Sequence, residues 1–270
     1  MEESYILAFF ANTASRIAMQ TAINNMSANA SNNETRTSNP FTLNGLDIYY
    51  TKEAFPTGSM TVLTVNYYDV YPVGALVIPS VILGQEVLQD SQGLTRSTRT
   101  LPVAYFAKNI DDNNWTKVFN WYNLKGQIIG AQSINYFGGY TRTESLVDFK
   151  GMILQSKKYH RRTVNDLEVK VTETFEYDNQ NRLLVHKHKV DNFNEEPLAI
   201  NSYDELGRLQ TKKTGKTDDD NYSPLQNIDY KYNIRGWLSG INDPDNLGGD
   251  FFAMKLKFNN PQDNQYGVSS

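Results

Sequence analysis

The amino-acid sequence predicts an all-β protein in which tandem hairpins join in an extended curved sheet. Three observations support this fold class. Aromatic residues make up 12% of the 270 residues, with 17 tyrosines among them, and aromatic side chains favour strands. Apolar and polar residues alternate along many short segments, as they do in half-buried strands. A motif with the residue types of a tight turn recurs along the chain at nearly regular spacing.

The recurring motif begins with tyrosine and ends with leucine in its three best copies. These copies are Tyr177–Leu183, Tyr203–Leu209 and Tyr232–Leu238, and two weaker copies are Tyr122–Ile128 and Val147–Ile153. The first positions of the five copies are separated by 25, 30, 26 and 29 residues. A period between about 20 and 50 residues indicates stacked supersecondary units.

The centre of each copy has the residue types of a type I turn. Aspartate or asparagine at the first turn position bonds to the following backbone, and glycine at the fourth supplies a positive φ. Asn181 replaces the glycine in one copy, and asparagine tolerates the left-handed region. The residues that we assign to the repeat turns are Asn123, Gly126, Asp148, Gly151, Tyr177, Asp178, Arg182, Tyr203, Asp204, Gly207, Arg208, Tyr232, Asn233 and Gly236.

These turn residues recur in copy after copy, which favours a structural role over catalysis. A residue used once per repeat serves turn geometry or the bonding of neighbouring strands. Gly207→Val is therefore expected to lower stability rather than activity, since valine disfavours a positive φ.

The segments that flank the turns alternate as strands do. In residues 167–177 the odd positions are apolar, with Glu173 as the exception, and the even positions are polar. Residues 228–232 and 254–258 alternate in the same way. Each copy therefore predicts a hairpin with one apolar face. Because a lone hairpin is marginal in water, neighbouring hairpins are expected to pair.

The chain divides into three stretches by its regularity. Residues 1–60 form an irregular N-terminal part of the repeat array, residues 61–114 hold a repeat with a proline-containing insertion, and residues 115–270 hold the regular hairpins and a polar tail. Apolar spacing in the first stretch predicts a short helix near 16–28. The apolar run 5–11 predicts a strand rather than a signal peptide, because the residues before it are acidic.

Several segments between the hairpins have the composition of loops. Residues 27–40 are rich in serine, asparagine and threonine and predict a loop, and residues 41–51 predict a hairpin that turns at Asn44-Gly45. Residues 72–103 contain three prolines with little alternation, which predicts an irregular excursion between repeats. Residues 218–221 predict a further loop.

The Tyr-Asp-x-x-Gly-Arg-Leu hairpin at this period resembles the YD-repeat, or Rhs, family. Tyr203–Leu209 fits that pattern completely. Val65–Asp69, Phe137–Tyr140 and Tyr232–Leu238 are similar to Rhs proteins of the Bacteroidetes type. The resemblance is strongest over residues 115–260.

The resemblance implies a hollow β-shell wound from hairpins, secreted or at the cell surface. In many members the shell encloses a variable C-terminal toxin, which a self-cleaving core segment releases. Asp243–Gly249 is only superficially similar to the family's end motif and lies inside the array, so the resemblance assigns no self-cleavage to this chain. The expected partners are further YD repeats and a C-terminal toxin domain of a longer polypeptide, of which this chain is expected to be a fragment.

An alternative function is that of a stand-alone surface adhesion or glycan-binding module, as in the teneurin-like proteins that this repeat resembles. Its partner is then a surface glycan or protein. Trp115, Trp121, Trp237 and the tyrosines are the candidate sugar-stacking side chains, against the simpler interpretation that these aromatic residues pack neighbouring hairpins.

Composition excludes several other classes of protein. Lys and Arg total 26 against 30 Asp and Glu, and the net charge of −4 does not predict the basic surface that is typical of nucleic-acid binding. No apolar run approaches the roughly 18 residues of a membrane-spanning helix. The absence of cysteine excludes disulfides, thiolate catalysis and cysteine-bound metal clusters.

No motif in the sequence indicates an enzyme, a cofactor or a metal site. His186 and His188 share one strand face, but the only further imidazole is His160, which is too few ligands for zinc. Asp218–Asp220 lacks the twelve-residue frame of a calcium loop. Glu173 and Glu176 are three apart on a strand, so they point to opposite faces and do not form a glycosidase pair.

Overall fold

The computed structural model describes residues 6–9, 15–26, 31, 33–54, 60–215 and 223–258. The predicted all-β fold class is confirmed, because this part of the chain contains eighteen strands and one short helix. The predicted loop at 218–221 and the polar tail after residue 258 lie outside the described residues.

The chain forms two compact units. The first comprises Met1–Met152 and Ser156–Lys170, and the second comprises Ile153–Gln155 and Val171–Ser270. The three stretches distinguished above by sequence regularity stay a prediction.

The first unit contains one long sheet and two short strand pairs. The sheet has the order β1-β4-β7-β8-β9-β10-β11, and the pairs are β2-β3 and β5-β6. Its elements are β1 (Ile6–Phe9), α1 (Arg16–Asn24), β2 (Arg36–Leu43), β3 (Leu46–Tyr50), β4 (Thr61–Tyr68), β5 (Val81–Ile82), β6 (Gln85–Glu86), β7 (Pro102–Lys108), β8 (Trp115–Tyr122), β9 (Ile128–Ile134), β10 (Gly138–Val147) and β11 (Ile153–Thr163), whose first three residues belong to the second unit.

The predicted helix near 16–28 is present but shorter, spanning Arg16–Asn24. It begins at Ser15, whose Oγ accepts a hydrogen bond from the backbone N–H of Ala18 at 3.2 Å. None of its residues is buried, and Ile17 is 79% exposed. The apolar spacing that predicted the helix therefore does not correspond to a packed face.

The predicted hairpin at 41–51 is present and turns at Asn44-Gly45, both of which have positive φ. Its first strand, β2, begins at Arg36, so the loop predicted over residues 27–40 is wrong for its last five residues. Arg36 pairs with Tyr50 in register, and its guanidinium stacks on the rings of Tyr50 and Tyr67. These contacts hold the start of β2 against the sheet.

The proline-containing excursion lies inside one hairpin rather than between two repeats. Strand β4 pairs directly with β7, with Tyr67 opposite Ala104, and residues 69–101 replace the short turn between them. The excursion forms the small β5–β6 pair and buries Ile82 and Val87. The sequence did not show which strands the excursion joins, because pairing between strands so far apart in sequence leaves no local signal.

The first unit has a hydrophobic core. Ile48, Val62 and Tyr67 are fully buried, and the rings of Tyr67, Phe106 and Phe119 meet edge to face at centroid distances of 5.2 and 5.7 Å. The hairpin β2–β3 and the excursion supply side chains to this core, so the long sheet is covered over part of one face. Burial on this scale is the main stabilising contribution in a β fold.

The second unit contains a sheet in the order β12-β13-β14-β15-β16-β17-β18. Among its described residues, Ala199 is buried, and no valine, leucine, isoleucine, methionine or aromatic residue is. Leu167, predicted on the apolar face of β12, precedes the strand and is 91% exposed. The strands of this unit are β12 (Val169–Tyr177), which begins in the first unit, β13 (Leu183–Val190), β14 (Glu196–Tyr203), β15 (Leu209–Thr214), β16 (Gln226–Tyr232), β17 (Leu238–Ile241) and β18 (Met254–Lys255).

Candidate functional site

The residues assigned to the repeat turns lie in five turns of one geometry. We call these the repeat turns, and they span residues 123–127, 148–152, 178–182, 204–208 and 233–237. In each, the N–H of the fourth residue donates to the carbonyl of the first at 2.9–3.1 Å, and the N–H of the first donates to the carbonyl of the fifth at 2.9–3.0 Å. The φ of the fourth residue lies between +63° and +91°.

Each assigned residue has a fixed place in this geometry. The first turn position holds an asparagine or aspartate, the fourth a glycine in four turns and Asn181 in the other, and the fifth an arginine in two turns. A tyrosine precedes four of the turns, Tyr122 before the first and the three assigned tyrosines before the others. The first positions are Asn123, Asp148, Asp178, Asp204 and Asn233, the glycines are Gly126, Gly151, Gly207 and Gly236, the arginines are Arg182 and Arg208, and the tyrosines are Tyr177, Tyr203 and Tyr232.

The first side chain of every repeat turn closes the turn from within. Its Oδ1 accepts hydrogen bonds from the backbone N–H groups of the third and fifth residues at 2.8–3.0 Å. Because these two backbone hydrogen bonds use only Oδ1, an asparagine can make them as an aspartate does. The two hydrogen bonds satisfy backbone donors that face away from the strand ladder.

Two repeat turns add an ion pair between their first and fifth residues. Oδ2 of Asp178 lies 2.6 Å from Nε of Arg182, and Oδ2 of Asp204 lies 2.6 Å from Nε of Arg208. Hydrogen bonds from the backbone N–H and guanidinium of Arg182 lower the pKa of Asp178. Partial burial raises the pKa of Asp204, but the corresponding hydrogen bonds from Arg208 outweigh it and leave the pKa lowered.

A neutral version of this pair closes the first repeat turn. Nδ2 of Asn123 donates to Oε1 of Gln127 at 2.8 Å, in the place of the aspartate–arginine pair. Nε2 of Gln127 also lies 2.7 Å from where a Cβ on Gly151 would stand. The fifth residue of one turn therefore packs against the glycine of the next turn, and a side chain there would displace it.

In the second unit the fifth residue of each repeat turn contacts an aromatic residue later in the chain. The guanidinium carbon of Arg182 lies 4.6 Å from the ring centroid of Tyr203, and that of Arg208 lies 4.9 Å from Tyr232. At the last turn Trp237 takes the arginine's place, and its ring centroid lies 5.4 Å from that of Phe258. We call Arg182, Tyr203, Arg208, Tyr232, Trp237 and Phe258 the turn ladder.

The tyrosine hydroxyls bond in the opposite direction, back to the preceding hairpin. Tyr203 donates to the carbonyl of Leu183 at 2.9 Å, and Tyr232 donates to the carbonyl of Leu209 at 2.9 Å. Each acceptor is the first residue after the preceding repeat turn. Consecutive hairpins of the second unit are thus joined by a stacked cation and by a hydrogen bond to the backbone, in addition to the strand ladder.

Two segments that carry the family resemblance, Phe137–Tyr140 and Val65–Asp69, were not assigned to the repeat turns, although both contain a related arrangement. Asn135 bonds to the backbone N–H groups of Phe137 and Gly139, and Gly138 has a φ of +78°, which repeats the same geometry at a turn without a preceding tyrosine. Asp69 starts the excursion and accepts from the N–H of Thr100. The Asn-x-x-Gly spacing was the signal for the first of these, and the Tyr68-Asp69 dipeptide was the signal for the second.

The histidines considered for a metal site have other contacts. Nε2 of His186 lies 3.0 Å from Oε1 of Glu173, and its ring stacks on Phe175 at 4.6 Å. His188 is opposite Glu173 in register, and His160 shares a hydrogen bond with Thr141. The described residues contain no group of three or more His, Cys, Asp or Glu side chains suited to a metal ion.

The tryptophans do not form one exposed stacking face. Trp115 and Trp121 are buried in the first unit at 8% and 3% exposure, and Nε1 of Trp115 donates to the carbonyl of Asn44 at 3.2 Å. Trp237 is half exposed and belongs to the turn ladder of the second unit. The first two therefore serve hairpin packing.

Comparison with protein-family models finds no match for this chain, and no curated protein matches it. In the described part of the chain, no helix is long and apolar enough to cross a membrane. The resemblance to the YD-repeat family therefore stays a prediction.

Proposed function

We propose that this chain is a non-catalytic structural segment of a YD-repeat protein. In this proposal it forms part of the wall of a β-shell that encloses a C-terminal toxin of the same longer polypeptide and helps to deliver it. The chain is secreted or lies at the cell surface, and its partners are further repeats and the enclosed domain.

The observation that carries the proposal is the repetition of one set of contacts from turn to turn. Arg182 and Arg208 make the same ion pair and the same stacking contact in successive hairpins, and Tyr203 and Tyr232 make the same backbone hydrogen bond. Catalytic groups converge on one place, whereas these residues are spread at one per hairpin. Contacts between nearest neighbours are the architecture of a repeat scaffold.

The sparse burial of the second unit also favours a wall segment. Few of its apolar residues are buried, and Phe251, Phe252 and Leu256 are 76%, 57% and 44% exposed. A sheet with this much apolar exposure is typical of a part that adjoins further protein. The longer polypeptide of the proposal supplies such neighbours.

The experiment that tests the proposal is to read the genomic reading frame on both sides of this chain. Further Tyr-Asp-x-x-Gly copies at 25 to 30 residue spacing, followed by a variable terminal domain, would support the shell. An adjoining anchor or sorting domain would instead favour the surface adhesion module. A frame that starts at Met1 and stops after Ser270 would overturn the shell proposal, because the short strip would then be the whole protein.

A further inference from the structure

A groove in the first unit is lined by three turns and by one face of β8. The turn between β2 and β3, the segment 113–114 before β8, and the turn 135–139 surround it. Its floor is formed by Trp115, Lys117 and Phe119, which alternate along β8 and so share one face. The groove has a volume of about 410 Å³ and adjoins a second pocket of about 300 Å³. These volumes fall in the usual range for small-molecule sites.

The groove carries one charge. Lys117 is the only ionisable lysine, arginine, aspartate or glutamate among the residues that line the 410 Å³ groove. Its ammonium lies 5.4 Å from the ring centroid of Phe106 and, within the described part of the chain, has no carboxylate at ion-pair distance. The neighbouring Lys108, in contrast, donates to the carbonyls of Asn109 and Asp112. Asp47 and Lys117 both line the adjoining pocket, but no ion pair joins them among the described residues, so Lys117 is a cation in the groove without a paired carboxylate.

The rest of the lining combines amides with aromatic rings. The side-chain amides of Asn44 and Asn113 make no hydrogen bond within the described residues and are available to a ligand. Tyr136 is 47% exposed, and its ring lies 3.9 Å from that of Phe137, which fixes one wall of the groove. Asn135 is committed to its turn and to the carbonyl of Arg162, so it shapes the groove rather than binding within it.

We infer that this groove binds an acidic sugar, a pyranose that carries a carboxylate. The ammonium of Lys117 pairs with the carboxylate, the free amides of Asn44 and Asn113 bond hydroxyl groups, and the ring of Tyr136 packs on the apolar face of the pyranose. A neutral sugar has no charged group to pair with Lys117, and one cation does not neutralise a ligand with several phosphates. Both ligands are therefore disfavoured relative to the acidic sugar. The inference is independent of the shell proposal, because it concerns the first unit whatever adjoins the chain.

Titration calorimetry of the intact chain with oligogalacturonate tests this inference, with a neutral hexose oligosaccharide of equal length as the comparison. The expected result is binding of the acidic oligosaccharide with a dissociation constant of about 1 mM or below, and weaker binding of the neutral one. Tighter binding of the oligomer than of free galacturonate would identify a polymer as the ligand, whereas equal binding would identify the monosaccharide. Equal binding of neutral and acidic oligosaccharides, or no binding of either, would overturn the inference.

Variants locate the site. Lys117→Met removes the charge with a side chain of similar length and is expected to weaken acidic-sugar binding about tenfold to hundredfold, as loss of a charged hydrogen bond does. Lys158→Met removes an exposed lysine of β11 outside the groove and is the matched control, with no expected change. Tyr136→Ala is expected to weaken both the acidic and the neutral sugar. Equal loss in the two lysine variants would show non-specific charge attraction and contradict the site.

Discussion

The two units use the same strands and turns but are stabilised in different ways. In the first unit a hairpin and a long excursion cover the sheet, and Ile48, Val62 and Tyr67 are fully buried. In the second unit the buried apolar side chains among the described residues are Pro197 and Ala199, and ion pairs join the first and fifth residues of two repeat turns. The first unit therefore depends on its core, and the second depends on links between neighbouring hairpins.

The difference shows that one repeat motif does not determine how deeply its strands are buried. The turn chemistry of Asn123 in the first unit and of Asn233 in the second is the same, down to the two backbone hydrogen bonds on Oδ1. What differs is the second layer above the sheet. Substitutions are therefore expected to act through burial in one unit and through turn contacts in the other.

The largest effect is expected from Ile48→Ala in the core of the first unit. Ile48 is fully buried, and truncation of such a side chain costs about 2–5 kcal/mol. Leu206→Ala, at a position 76% exposed in a repeat turn, is the control and is expected to change stability by less than about 0.5 kcal/mol. Urea unfolding measures both, and equal losses in the two variants would contradict the difference between the units.

The next largest effect is expected from Gly207→Val in the second unit. The φ of Gly207 is +78°, and a β-branched residue held there costs about 1–3 kcal/mol. Gly207→Asn is the matched control, because Asn181 occupies the same turn position at +63°. The asparagine variant is expected to lose less, and a thermal midpoint for valine equal to that of the parent would refute the account of the turn.

A smaller effect is expected from Tyr203→Phe, which removes only the hydroxyl that bonds the carbonyl of Leu183. Loss of such a hydrogen bond costs about 0.5–1.5 kcal/mol. Tyr230→Phe is the control, because the hydroxyl of Tyr230 has no hydrogen bond among the described residues. Chemical denaturation distinguishes the two variants, and an equal loss in both would assign the effect to solvation instead of to the ladder.

The smallest effect is expected from acid, because Asp178 and Asp204 are only partly buried, with side chains 18% and 22% exposed, and solvent still screens their ion pairs. Both have a lowered pKa in the folded chain. Their contribution to stability is therefore complete at a pH above the pKa of the unfolded chain, about 4, and is lost as the pH falls through the pKa of the folded chain. In the double variant with Asp178→Asn and Asp204→Asn, the free energy of unfolding is expected to fall less than in the parent as the pH is lowered. Hydrogen exchange at the turn of Asn233, which has no carboxylate in this position, is the internal control. An equal loss of stability in acid for parent and variant would contradict a contribution from the two ion pairs.

The repeat turns could be predicted because their chemistry is local. An aspartate or asparagine, two further residues and a glycine define the hydrogen bonds of the turn, and Asn181 could be recognised as a substitute because asparagine tolerates a positive φ. The turn at 135–139 was not assigned as a copy of the repeat because Ile134 precedes it, where the other copies have a tyrosine or valine. The pairing of Trp237 with Phe258 was missed because it joins two copies.

The depth of burial could not be predicted, since alternation shows which residues share a face and not whether that face is covered. Residues of β8 and β12 alternate alike, yet Phe119 is buried and Phe175 is not. Covering β8 requires the excursion that enters between β4 and β7, and this pairing across residues 69–101 is a property of the folded chain. The groove around Lys117 depends on the same long-range arrangement.

The central claim is that contacts between consecutive turns stabilise the second unit, and a double-mutant cycle on Arg182 and Tyr203 measures one such contact directly. Arg182→Met and Tyr203→Leu, singly and together, are expected to give a coupling energy of about 0.5–1 kcal/mol. The same cycle on Arg182 and Tyr232, which belong to different rungs of the ladder, is the control and is expected to give none. A coupling energy of zero for Arg182 and Tyr203 would contradict the account.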